Sequence, residues 1–249
     1  REFGPFDIVH GHSSKGGAVA RLAALGTRTP VFYTVHGMTP ADPGLPRWKR
    51  WAYANIERML SRVTERIVAV SPEEQRLAIR LGLGASRVVL IPNGIDPAHI
   101  ASREQARQAM GLRKNDIAVG FVGRLVIQKA PDVLINGFAR AASQVPDARL
   151  VIIGAGPLLQ SMQQLAARLG TGDKILWLGE RDARDLYAGF DLFAIASQKE
   201  GLPYVVLEAI AAGLPIVATR SSGVELLVEN DANGQVVSTG DVAGFSASL

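Results

Sequence analysis

Two kinds of hydrophobic pattern alternate along the chain. Short runs that are apolar at consecutive positions recur throughout: DIVHGH (7–12), VFYTVH (31–36), RIVAV (66–70), RVVLIP (87–92), AVGFVG (118–123), RLVIIG (149–154), ILWLG (175–179), LFAIAS (192–197), PIVAT (215–219) and GQVVS (234–238). A strand with one wet face alternates apolar and polar side chains. Most of these runs do not, so they predict strands buried on both faces of a parallel sheet. Between most of them lie helical patterns such as GAVARLAALG, DVLINGFARAASQ and LLQSMQQLAARLG. Strands alternating with helices predict a doubly wound α/β architecture. Right-handed crossovers then gather ligand-binding loops at the carboxyl ends of the strands.

The turn-rich PNGIDPAHI (92–100), followed by a polar helix over 102–114, places a domain boundary near 96–116. Two Rossmann-like domains are expected, 1–105 and 106–249, with a cleft between them. No repeat of fixed period interrupts this plan. The chain starts with Arg, and GDVAGFSASL at its end reads as the start of a helix, so both ends look cut.

Composition narrows the class. At 249 residues, 47% hydrophobic and 20% charged, the chain can bury a core in each of two domains. It has no cysteine, which excludes disulfides and thiolate metal sites. No apolar run reaches the roughly 18 residues of a membrane span; the candidate at 205–219 is broken by Glu208, Gly213 and Pro215. The net charge of +4 is concentrated early: residues 1–105 hold 14 Lys and Arg against 9 Asp and Glu, and residues 106–249 hold 13 against 14. A basic first part suits an anionic surface or substrate. Helix 46–63, PRWKRWAYANIERMLSRV, carries two of the three tryptophans with Arg47, Lys49, Arg50, Arg58 and Arg62, as a peripheral contact with anionic membrane would require. The plain alternative is that Trp51, Ile56 and Leu60 pack inward. Nucleic-acid binding is not expected, because the basic residues form no recognised motif.

Three constellations fall at strand ends. GRLVIQK (123–129) offers Gly123 for close backbone approach, Arg124 as a fork of donors and Lys129 as a point charge. Two cations suit the two negative charges of a diphosphate, although a Lys and an Arg in a loop are also ordinary solvated side chains. GAGP (154–157) is a tight turn that brings backbone amides to a ligand or merely joins strand to helix. Leu159 stands where a dinucleotide fingerprint needs its third glycine. EGLPYVVLE (200–208) puts Pro203 at the first turn of a helix running to Gly213, with Glu200 in the loop ahead and Glu208 inside an apolar segment. The helix N-terminus favours an anion, and a carboxylate among apolar residues needs donors such as sugar hydroxyls. In the first part, His36 ends the FYTVHG strand, and His10 and His12 lie at another strand end without metal-site spacing. No Asp-x-Asp occurs, so a metal-bridged diphosphate is not expected.

Taken in order, DIVHGHSSKGGAVARLAA, VFYTVHG, RIVAVSPEEQ, VVLIPNGID, GFVGRLVIQKAPDVLINGFA, VIIGAGP, LGERDARDLYAGFDLFAIAS and EGLPYVVLEAIAAGLPIVAT resemble the family-4 glycosyltransferases of the GT-B fold over most of the chain. HSSKGG with YTVHG looks most like transferases that build capsular polysaccharides, exopolysaccharides and other surface glycans. The resemblance implies two Rossmann-like domains and retaining, metal-independent transfer from a nucleotide sugar, a UDP- or GDP-sugar, to a glycan or lipid-linked acceptor, with no cofactor. Carried over, Arg124 and Lys129 hold the diphosphate and stabilise the leaving group. Glu208 binds the ribose hydroxyls. Glu200 contacts the donor sugar, with backbone amides of Gly201, Leu202, Pro203 and Tyr204 near it. His36 sits by the donor sugar, and the base packs near Gly179, Glu180 and Arg181. Such an enzyme is expected in the cytoplasm or at the inner face of the cytoplasmic membrane. Family members open with a strand and a Gly-rich loop that precede DIVH, so the first domain reads as incomplete and this chain as a donor-binding fragment with impaired turnover. A sugar-nucleotide epimerase of similar shape and a non-catalytic nucleotide-binding or membrane-docking module are the alternatives.

Overall fold

The computed structural model describes residues 6–42, 44–96, 102–221 and 223–249. The chain divides into two compact units, Arg1–Asn93 and Gly94–Leu249. Each apolar run contains a strand, and all the strand pairs between them are parallel.

In the first unit β1 (Val9–His12), β2 (Val31–Thr34), β3 (Arg66–Ala69) and β4 (Val88–Leu90) form a four-stranded sheet in that order. The connecting helices are α1 (Ser13–Ala23), α2 (Arg47–Ser61) and α3 (Pro72–Arg80). Helix α3 shows how locally these boundaries are set. Ser71 accepts from the Glu74 N–H at 3.2 Å, Glu74 Oε2 accepts from the Val70 N–H at 3.1 Å, and Pro72 occupies the first position, where it has no hydrogen bond to lose. The core gathers Tyr33, Val35, Ile67, Ala69, Ala78 and Leu83. It also encloses a charge pair. The Arg21 side chain is fully buried, donates to Glu57 Oε2 at 2.8 Å and to the Gly17 carbonyl at 2.8 Å, and lies 4.1 Å over the Tyr33 ring. Burial, then the Glu57 carboxylate, pushes the Tyr33 phenol well above its ordinary range.

In the second unit β5 (Ile117–Val122), β6 (Ala148–Ile153), β7 (Ile175–Gly179), β8 (Leu192–Ile195), β9 (Ile216–Thr219) and β10 (Gly234–Val237) form a sheet in the order β10-β9-β8-β5-β6-β7. Helices α4 (Arg103–Met110), α5 (Pro131–Ala142), α6 (Leu159–Arg168), α7 (Tyr204–Ala211) and α8 (Val242–Ser248) accompany it. Neighbouring strand residues point to opposite faces, and both faces are covered. Phe193 and Ile195 join Met110, Tyr187, Val206 and Val224 in one cluster, while Ala194 joins Leu134, Phe138, Met162 and Phe245 in another. That is the physical reason the strands read as unbroken apolar runs.

The division between the units falls at Asn93/Gly94, ahead of the 105/106 boundary expected above. Helix α4 belongs wholly to the second unit because its two arginines are anchored there. Arg103 Nη2 lies 2.5 Å from Asp191 Oδ1, and Arg107 donates to the carbonyls of Arg113 at 2.7 Å and Asp116 at 2.6 Å. Part of the turn-rich stretch 92–100 lies outside the described residues.

Candidate functional site

The sheet of the second unit has a topological switch. The chain leaves β5 for β6 and β7 on one side, then crosses back to place β8 on the other side of β5. The loops after β5 and β8 therefore leave adjacent strands at the switch point, the position where open α/β sheets bind ligands. The motifs GRLVIQK and EGLPYVVLE are those two loops.

The two loops are laced together. The Gln198 N–H donates to the Gln128 carbonyl at 2.8 Å, and Gln128 Nε2 donates to the Lys199 carbonyl at 3.0 Å. Between them Lys129 Nζ meets Glu200 Oε1 at 2.5 Å, with the two side chains 17% and 10% exposed. The sequence reading gave these residues separate tasks. The structure makes them a pair, screened from bulk water but not sealed from it. Ala130, at φ 42°, turns the chain directly after Lys129 into α5. Arg124, one loop position from Gly123, is exposed.

Helix α7 begins after Pro203, one residue later than expected, and ends before Gly213 at φ 72°. Leu202 and Pro203 are buried, so they bring backbone rather than side chains to the site, whereas Tyr204 is 47% exposed. Glu208 is half-buried on α7, and its partner is a residue that sequence reasoning missed. The Tyr187 hydroxyl donates to Glu208 Oε2 at 2.7 Å. Burial, then this bond, pushes the Tyr187 phenol well above its ordinary range. The signal was present in DLYAGFD: a phenol in an apolar segment needs a partner as much as a carboxylate does.

GAGP proves to be a packing device. The Leu125 N–H donates to the Ala155 carbonyl at 2.9 Å, and the Leu158 N–H to the Leu125 carbonyl at 3.1 Å. A Cβ on Gly154 would stand 2.0 Å from the Gly123 carbonyl oxygen and one on Gly156 2.4 Å from the Leu125 carbonyl oxygen. The loop after β6 thus clamps the loop that carries Arg124. Gly156→Ala is expected to displace residues 123–125, lowering the thermal midpoint and weakening diphosphate binding together; an unchanged affinity in a calorimetric titration would separate the clamp from the site. Further along, the Gly154 N–H donates to the Gly179 carbonyl at 2.8 Å, and Gly179 turns at φ 68°. Glu180 and Arg181 are exposed beyond it, with Arg181 Nε on the Leu178 carbonyl at 2.9 Å.

His36 belongs to the first unit. It sits two residues past the end of β2, at φ 48°. Its Nε2 is 3.0 Å from His12 Nδ1 in a stacked pair, and His10 Nε2 is 2.8 Å from Thr34 Oγ1. Desolvation first, then the neighbouring His12, pulls the His10 and His36 imidazoles below their ordinary value, so at neutral pH they are uncharged groups able to donate or accept toward a hydroxyl. Among the described residues no group of three or more His, Asp or Glu side chains is disposed to hold a metal ion.

The switch point, with Lys129, Arg124, Glu200 and the start of α7 on the loops above it, belongs to a doubly wound α/β domain. The sequence profile of "Glycosyl transferases group 1" matches residues 102–249, and that of "Glycosyl transferase 4-like domain" matches residues 2–94. The chain belongs to the group 1 glycosyl transferases. It is 30% identical over 259 aligned residues to the UDP-Gal:alpha-D-GlcNAc-diphosphoundecaprenol alpha-1,3-galactosyltransferase of Escherichia coli, covering 98% of this chain and 65% of that protein. It is 32% identical to the D-inositol 3-phosphate glycosyltransferase of Mycobacterium marinum, covering all of this chain and 56% of the relative. The chain therefore spans less than two thirds of the length of these relatives. The crystal structure of Anabaena HepE in complex with UDP-glucose superposes with a TM-score of 0.85 at 25% identity, over 97% of this chain and 67% of that one. Two units of parallel sheet are thus the GT-B arrangement of secondary structure expected from the sequence.

Proposed function

We propose that this chain transfers a sugar from a UDP- or GDP-sugar to a glycan or lipid-linked acceptor, with retention of anomeric configuration, in the synthesis of surface polysaccharide. The observation that carries this reading is the meeting of Lys129 and Glu200 at the switch point, with Glu208 on the helix that follows. A departing nucleoside diphosphate gains negative charge. Lys129, once drawn from Glu200, opposes that charge together with Arg124 and the N-terminal dipole of α7. Glu200 accepts from a hydroxyl of the donor sugar, and Glu208 from the ribose. The base lies by Gly179, Glu180 and Arg181. The galactosyltransferase relative, named for a UDP-sugar donor and a diphosphoundecaprenol-linked acceptor, supports the donor and acceptor classes, and the UDP-glucose held by HepE supports the donor. NMR of the anomeric protons during reaction with a UDP-sugar and a lipid-linked glycan tests it. The product should keep the donor's configuration. Interconversion of the donor without acceptor would instead make the chain an epimerase.

We also propose that α2 docks on anionic membrane. Its buried side is Ala54, Glu57, Leu60 and Ser61, and its opposite side presents Trp48, Trp51 and Met59, each about two thirds exposed. The inward-packing alternative holds for Leu60 but not for Trp51 or Ile56. Arg47, Lys49 and Arg62 flank this apolar face as exposed cations, whereas Arg50 and Arg58 donate to the carbonyls of Pro40 and Leu81. Among the described residues no helix is long and apolar enough to cross a membrane, so the contact is interfacial. The chain should float with liposomes containing phosphatidylglycerol and not with pure phosphatidylcholine, and the double change of Trp48 and Trp51 to Ala should abolish flotation. Equal flotation of the variant would refute the contact.

A further inference from the structure

The carboxylate assigned to the ribose is held in place before any ligand arrives. Glu208 receives the Tyr187 hydroxyl on Oε2 at 2.7 Å. A carboxylate can only accept, so the phenol must donate. The Tyr187 ring has nowhere to swing. It is 2% exposed and lies against Phe190 and Phe193, with centroid separations of 5.9 and 5.6 Å. Its turn, Tyr187–Gly189, is pressed by α4 so closely that a Cβ on Gly189 would stand 2.4 Å from Met110 Cε. One oxygen of Glu208 is therefore fixed by a rigid donor. Among the described residues the other, Oε1, takes no hydrogen bond, and the side chain is not fully buried.

We infer that Tyr187 is a positioning residue that makes the site selective for the vicinal diol of a ribose, an inference that rests on the function proposed above. An unheld glutamate loses side-chain freedom when it grips a ligand, and that loss subtracts from the affinity. Here the loss is incurred on folding. The phenol also occupies one acceptor site on Oε2, which leaves Oε1 as the open acceptor for the ligand's hydroxyls. Tyr187 touches no ligand itself and acts through Glu208.

The test is a preference rather than an affinity. Wild type, Tyr187→Phe and Glu208→Gln are titrated calorimetrically with UDP, with GDP and with the 2′,3′-dideoxy form of each. Hydroxyls bonded to a charged acceptor should give the wild type a preference for the ribonucleotide of about tenfold or more. Tyr187→Phe keeps the ring and its packing, and should cut that preference to within about threefold while leaving the affinity for the dideoxy form unchanged. Glu208→Gln should lose the preference as well, and adding Tyr187→Phe to it should change nothing further. If Tyr187→Phe folds poorly, Glu208→Gln alone carries the test, and a Glu208→Gln variant that keeps the wild-type preference overturns the inference. A Tyr187→Phe variant that keeps the wild-type preference, or that loses both affinities equally, overturns the inference. A wild type that binds UDP or GDP without any diol preference overturns it too, and with it the role of Glu208. A wild type that binds neither nucleotide overturns the proposed function itself.

Discussion

Lys129→Ala is expected to weaken binding of a nucleoside diphosphate by about a hundredfold, and Glu200→Gln to strengthen it several-fold. The opposite signs follow from the pair they form. Lys129 Nζ lies 2.5 Å from Glu200 Oε1, both side chains largely withdrawn from water. An incoming diphosphate must draw the ammonium away from a carboxylate that already neutralises it. Hydrogen bonds to charged groups contribute about 1.5–3 kcal/mol, so deleting the ammonium costs at the upper end of that range, where a diphosphate has few other cations. Glutamine still accepts a hydrogen bond from Lys129 but leaves its charge for the phosphates. The same change removes the carboxylate proposed to hold the donor sugar, so transfer should fall while nucleotide affinity rises. Calorimetry with UDP and GDP, alongside steady-state transfer, reads both numbers. Affinity and turnover falling together in Glu200→Gln would show a damaged loop rather than a released lysine.

The largest stability effect is expected far from that site. Arg21→Ala should cost about 3–5 kcal/mol, the range for breaking a buried ion pair by removing one partner. Glu57 would be left 5% exposed with its 2.8 Å counter-charge gone and only a 3.5 Å contact from the Tyr33 hydroxyl. Small domains are stable by only about 5–15 kcal/mol, so the first unit should lose much of its folded margin. The double change Arg21→Met with Glu57→Leu should recover most of the loss, because it removes both buried charges and keeps the volume. Urea titration followed by tryptophan fluorescence reports it, since Trp48 and Trp51 lie in the first unit. If Arg21→Ala shifts the midpoint no more than a surface substitution would, the pair is not a structural anchor.

Local pattern made the strands legible, because a strand buried on both faces has no polar positions to hide it. The helix of EGLPYVVLE was legible for a similar reason: proline and glycine mark its ends. What stayed hidden was pairing between distant positions. Lys129 and Glu200 stand 71 residues apart, Tyr187 and Glu208 21 apart, and Arg21 and Glu57 36 apart. Nothing in the spacing of a lysine and a glutamate says that two loops will lace over adjacent strands. That depends on the strand order, which places β8 beside β5. Arg21 and Glu57 carry no local signal of burial in the sequence; the packing of their helices onto Tyr33 buries them. GAGP has the composition of a ligand loop, yet its glycines are needed where two backbones touch.

The loops above β5 and β8 are proposed to hold a nucleoside-diphosphate sugar. The most direct measurement is a calorimetric titration of the chain with UDP, GDP and their glucose and galactose esters. Saturable binding of at least one nucleotide at one site per chain is expected, weakened by Lys129→Ala and by added salt. No saturable binding of any of them, or binding indifferent to Lys129, would contradict it.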